Sequence, residues 1–104
     1  MNNELEHVVY MNKLISIYGG LLTVIQRGIM EDYYGNNLSL QEIADERNIS
    51  RSAISDCIVK TSRKLDNFEK KLGLCAFIDE ERARDDKKIN EVINRLEEKI
   101  NNGI

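Results

Sequence analysis

Proline is absent from this 104-residue chain, and so is tryptophan. Proline breaks helix interiors by removing an amide donor and clashing with the preceding turn, so its absence leaves long uninterrupted helices open. Long apolar runs are missing as well. No stretch approaches the roughly 20 apolar residues a membrane span needs, and the acidic start, Met1 to Glu6, lacks the basic-then-apolar order of a secretory signal. The cytoplasm is the expected compartment, with no membrane partner. Only two cysteines occur, Cys57 and Cys75, far apart in sequence, and the single histidine, His7, lies near the other end of the chain. That spacing offers no zinc set, and a reducing compartment disfavours a disulfide. Both thiols are expected to be small buried side chains, Cys57 above all. Also missing are a Ser-His-Asp set, a glycine loop able to cradle phosphate, and a clustered carboxylate pair with a basic partner. No catalytic residue, cofactor or metal is expected, and the chain reads as a non-enzyme.

What is present is charge, unevenly spread. The net charge is −3, which argues against indiscriminate binding to polyanions. Residues 31–46 carry acids and no base, whereas residues 47–71 carry Arg47, Arg51, Lys60, Arg63, Lys64, Lys70 and Lys71 against only Asp56, Asp66 and Glu69. A local stripe of this kind, more than the total, steers a phosphate backbone.

Apolar spacing and capping residues predict an all-α fold. Residues 4–18 read as a helix with Leu5, Val8 or Val9, Met11 or Asn12, Ile15 and Tyr18 near one face, ended by left-handed glycine at Gly19-Gly20. Thr23 and Gln26 can form a capping box for a second helix, with Ile25, Ile29, Met30 and Tyr33 facing in and a turn at Gly35-Asn36-Asn37. Ser39 and Glu42 form another box, opening a short helix over about 40–47 with Ile43 and Ala44 inside. Ser50 caps a helix running to Leu72, with Ile54, Cys57 or Ile58, Thr61, Leu65, Phe68 and Leu72 on its apolar line and Gly73 at its end. A charged helical tail, about 77–102, repeats Ile89, Val92, Ile93, Leu96 and Ile100, a stripe that must cover its own domain or a partner's helix. The organisation expected is a domain over residues 1–75 and a helical extension over 76–104.

Residues 39–58 have the grammar of a helix-turn-helix. A short capped helix carries Ile43 followed by the small Ala44, which permits close approach of a second helix. Asn48 tolerates the left-handed backbone of a sharp turn, Ile49 supplies an apolar anchor, and Ser50 starts the next helix. The exposed N-terminal end of such a helix reaches base edges in a major groove. Candidate nucleic-acid contacts are therefore Ser50, Arg51, Ser52 and Ser55 near that end, with Lys60, Arg63 and Lys64 placed further along for phosphate. Arg47 stands where such motifs usually bury an apolar side chain, so it must snorkel or loosen the corner. Asp56 repels phosphate unless it reads a cytosine amine or pairs with Arg51 or Lys60. The alternative is a plain structural helix pair.

The chain resembles the YlxM/p13 family of small bacterial proteins. The resemblance lies in the residues from Tyr10-Met11-Asn12-Lys13-Leu14 to Tyr18, in Leu21-Leu22-Thr23, Gln26-Arg27 and Asp32-Tyr33-Tyr34, and in the run from Leu38 to Ala44. It continues in Asn48-Ile49-Ser50-Arg51 with Ala53, and in the run from Glu69 to Leu74. The resemblance implies a helical fold like the DNA-binding fourth region of bacterial sigma factors. It implies a DNA-facing segment at Ser50, Arg51 and Ser52, extending to Ser55, and a link to the signal recognition particle pathway, beside whose genes the family is usually encoded. The sequence departs from the family's pattern at Val24-Ile25, where proline and lysine are usual, at Arg47, where an aromatic is, and at Ser55, where a larger side chain is. The reading is thus a regulatory helix-turn-helix protein binding nucleic acid, DNA before RNA, as a homodimer with two half-sites. The rival is an adaptor that binds the particle's GTPase, its receptor or its RNA.

Overall fold

Side chains that satisfy free helix amides divide the chain. The computed structural model describes residues 3–84 and 86–102, and within them every regular element is helical. The elements are α1 (Asn3–Tyr18), a 3-10 turn (Gly19–Leu21), α2 (Val24–Met30) continued by a π-helical turn (Glu31–Gly35), α3 (Leu40–Arg47), α4 (Arg51–Leu72), α5 (Leu74–Ala83) and α6 (Lys87–Asn101). Thr23 and Gln26 form the capping box of α2, each accepting from the other's amide at 3.1 Å. Ser39 and Glu42 do the same for α3, and Asp86 caps α6 by accepting from the amides of Lys88 and Ile89. Asn37, with φ 56°, turns the chain after the π-helical stretch, where an Asn36 amide bonded to the Glu31 carbonyl closes the wider ring.

The core is continuous from α1 to α6. Met11, Leu14, Ile17 and Tyr18 of α1 meet Ile29 and Met30 of α2, Ile43 and Ala44 of α3, Ile54, Ile58 and Leu65 of α4, Cys75 and Ile78 of α5, and Ile93 and Ile100 of α6. Met11, Ile15 and Tyr18 of the expected inner face of α1 are buried, but Leu5 and Val9 are exposed, and Leu14 and Ile17 are buried in addition. Apolar residues outnumber the positions that α1 can bury, so spacing alone does not choose among them. Ile25 and Leu72 likewise stand exposed, and Cys57 is only half-buried while Cys75 is buried.

The tail is two helices, not one. Gly73, at φ 63°, ends α4 and lets α5 begin at once. The expected division at residues 75 and 76 falls inside α5. One carboxylate holds this junction. Glu69 accepts the Tyr18 hydroxyl at 2.6 Å and the amides of Cys75 at 3.0 Å and Ala76 at 3.1 Å, while the Leu74 amide donates to the same hydroxyl. Burial and the adjacent carboxylate push the Tyr18 phenol well above its ordinary value of 10.0, so it stays a donor.

α6 uses its stripe within the chain. Ile93 and Ile100 are buried, Ile89 and Leu96 pack at the edge, and Val92 stays outside. Its C-terminal end lies against Gly20, where a Cβ would stand 2.1 Å from the Ile100 carbonyl oxygen. Neither Gly19 nor Gly20 is left-handed. The second glycine is there for this close approach, a reason different from the helix stop expected of it. Arg27 then seals the joint by donating to the Asn101 carbonyl and side-chain oxygens, both at 3.2 Å.

Two outcomes follow. Gly20→Ala forces the end of α6 off the 3-10 turn and lowers stability by about 1–3 kcal/mol, read by urea unfolding. Above the ordinary phenol value the unfolded chain releases the Tyr18 proton while the folded chain keeps it. Stability therefore falls as pH rises through that region, and the fall is shallower in Tyr18→Phe, read by unfolding at stepped alkaline pH.

Candidate nucleic-acid interface

The corner between α3 and α4 is built from backbone conformation. Asn48 adopts φ 54° and ψ 45°, a left-handed conformation that asparagine reaches more readily than most residues. The Asn48 amide still bonds to the Ala44 carbonyl, and the Ile49 amide bonds to the same oxygen at 3.1 Å. Ile43 and Ala44 are buried as expected, but Ile49 is 37% exposed and anchors little. The chain is held instead by Ile54 and Ile58, which sit in the core one and two turns further on.

Arg47 neither loosens the corner nor snorkels to water. Its guanidinium reaches over α2 and donates through Nε and Nη2 to Asp32 Oδ2 at 3.2 and 3.0 Å. It passes so close to Gly28 that a Cβ there would lie 2.6 Å from Nη2. Glycine in the middle of α2, unfavourable for a helix by about 1 kcal/mol, is the space into which Arg47 fits. This joint ties α2 to the helix-turn-helix, and the isolated Gly28 was the available signal for it.

Ser50 caps α4, its Oγ accepting from the Ala53 amide at 3.1 Å. The amides of Arg51 and Ser52 precede the first intrahelical bond and face outward, as helix starts do. Arg51, Ser52, Ser55 and Asp56 are exposed around this start, and with Val59 and Leu40 they line a shallow depression between α4 and the beginning of α3. Val59, 46% exposed, was not singled out in the sequence. It lies one turn beyond Ser55 on the same ridge and offers an apolar contact of the kind that meets a thymine methyl.

The basic residues divide into two sets. Arg51 and Arg63 are exposed and make no ion pair among the described residues. Lys60 is paired with Asp56 at 3.0 Å, and Lys64 turns toward α2, donating to Gln26 Oε1 at 3.2 Å. Ser50, Arg51, Ser52 and Ser55 thus cluster at the helix start, Arg63 continues the exposed ridge, and Lys60 and Lys64 are already engaged. The described residues contain no cluster of His, Cys, Asp and Glu that could hold a metal ion, and none of their helices is long and apolar enough to cross a membrane.

Comparison with known proteins agrees with this geometry. Residues 5–102 match the family described as "Putative helix-turn-helix protein, YlxM / p13 like". A UPF0122 protein of Desulforamulus reducens is 41% identical over 87 residues, covering 84% of this chain and 71% of the relative. UPF0122 proteins of Mycoplasma capricolum and Lacticaseibacillus casei are 49% and 47% identical over 73 residues, covering 70% of this chain and 65% of each relative. The match to these two therefore spans a little under two thirds of their length. No solved structure matches the chain. The chain belongs to the YlxM/p13-like helix-turn-helix family.

The corner yields a stability test. Asn48→Ala places a Cβ-bearing residue without a helpful side chain in the left-handed region and costs about 1 kcal/mol, whereas Asn48→Gly is close to neutral. Equal losses from both, in thermal unfolding, would show that the turn is not left-handed.

Proposed function

We propose, from membership of this helix-turn-helix family, that the chain is a cytoplasmic regulatory protein that docks α4 on duplex nucleic acid, DNA before RNA. The observation that carries this reading is the exposed start of α4, where Arg51, Ser52 and Ser55 project beside outward-facing amides. A helix fits a major groove, its N-terminal residues meet base edges, and its free amides favour phosphate. In this arrangement Ser50 positions the helix through its cap, Arg51 reads guanine or holds phosphate, and Ser52 and Ser55 make close polar contacts. Arg63 adds a phosphate contact further along. Lys60 and Lys64 contribute after leaving Asp56 and Gln26, which lowers their worth. A homodimer on two half-sites would have to form through a face other than the α6 stripe, which the chain's own core occupies.

The rival reading is an adaptor of the signal recognition particle pathway, in which α4 is scaffold and the partner is the GTPase, its receptor or its RNA. The acidic net charge and the neutralised Lys60 favour it. A mixed-sequence DNA duplex titrated at stepped salt separates the two. The first reading expects affinity to fall steeply with salt, and Arg51→Ala and Arg63→Ala each to flatten the slope by about one unit of log affinity per log salt. Neither side chain makes an ion pair or hydrogen bond among the described residues, so both variants keep wild-type helicity. Asp56→Asn frees Lys60 and raises affinity. Unchanged affinity and slope in both arginine variants would overturn the reading.

A further inference from the structure

An apolar groove lies between α1 and α5, lined by Leu5, Val9 and Tyr10 of α1 and Ala76 of α5, with Cys75 at its base and a volume of about 450 Å³. Leu5, Val9 and Tyr10 are 56%, 49% and 40% exposed, an unusual amount of adjoining apolar surface for one short stretch of helix. A second hollow shares Val9, Lys13, Cys75 and Asp79 and continues to Ile17. From Leu5 to Ile17 the groove follows α1 for about 18 Å at the helical rise, long enough to seat about three turns of a second helix.

The rim is acidic. Glu6 and Glu69 line the groove, and burial, with the charges of Asp66 and Glu69 adding to it, raises the Tyr10 phenol above its usual range. The cations present are already matched: Lys13 pairs with Asp79 at 3.2 Å, and Arg82 pairs with Glu97. An apolar floor under a negative rim selects against a second copy docked face to face. A two-fold contact sets each residue of the patch against the same patch, and so brings acid to acid.

We propose that this groove binds an amphipathic helix of another protein, one that carries lysine or arginine beside its apolar face. Its apolar residues at three- and four-residue spacing fill the floor between α1 and α5, and its basic residues lie over Glu6 and Glu69. The site is separate from the α4 ridge and stands whether or not that ridge binds nucleic acid.

The test uses the full chain, isotope-labelled, titrated with an amphipathic leucine–lysine peptide helix and with its leucine–glutamate counterpart. Saturable shifts at Leu5, Val9, Tyr10 and Ala76 with the lysine peptide alone are expected. Val9→Lys weakens binding about tenfold or more, equivalent to about 1.4 kcal/mol. Val24→Lys, at another exposed apolar position, leaves binding unchanged. Because Val9 and Val24 are both exposed, both variants fold. No binding, shifts centred elsewhere, equal binding of the glutamate peptide, or equal weakening by Val24→Lys would overturn the proposal. So would a wild-type dimer in sedimentation that Val9→Lys dissociates, since the occupant would then be a second copy.

Discussion

The left-handed turn at Asn48 decides where α4 points, and the candidate interface depends on that direction. A single residue reverses the chain between two helices, with both the Asn48 and Ile49 amides returned to the Ala44 carbonyl. Turned this way, α4 buries Ile54, Ile58 and Leu65 and presents Arg51, Ser52 and Ser55 outward. A slower bend would shift the register of the whole helix against the core. The Arg47–Asp32 pair over Gly28 reinforces the turn from the α2 side. Because both partners are partly shielded from water, this pair is worth more than the exposed ones at Lys60 or Arg84.

A second joint sets the other end of α4. Glu69 receives the Tyr18 hydroxyl and two α5 amides, so the C-terminal end of α4, the end of α1 and the start of α5 meet on one carboxylate. Charge-assisted bonds of this kind are stronger than neutral ones. The result is a 22-residue helix fixed at both ends, which can bear a ligand on its outer ridge without bending. The apolar groove between α1 and α5 begins beside the same joint, at Glu69 and Cys75, so the two candidate surfaces share one frame.

Much of this was legible in the sequence. The capping boxes at Thr23 and Ser39, the cap at Ser50 and the turn at Asn48 are signals written in residues a few positions apart, and local chemistry decides them. What was not legible depends on contacts across long separations. The inner face of α1 was only partly legible because apolar residues occur on more than one side of it, Leu5 and Val9 on one and Leu14 and Ile17 on another, and only the packed partners decide. The reason for Gly20 lies in Ile100, and that for Gly28 in Arg47. The seven candidate contact residues were identifiable by position on α4. The pairing of Lys60 with Asp56 one turn away was among the sequence alternatives, but the engagement of Lys64 was not legible, because it meets Gln26 from another helix. Val59 was overlooked because a valine in a helix reads as core until the exposed ridge is known.

The family's helix-turn-helix grammar and the exposed start of α4 converge on one claim, that the ridge beginning at Ser50 is the surface that meets nucleic acid. The most direct measurement is amide chemical-shift mapping of the full chain on addition of a DNA duplex at low salt. The account expects the largest changes at Arg51, Ser52, Ser55 and Val59, with α6 and the α1–α5 groove unaffected. Changes absent from the start of α4, or centred on α6 or on the α1–α5 groove, would contradict it.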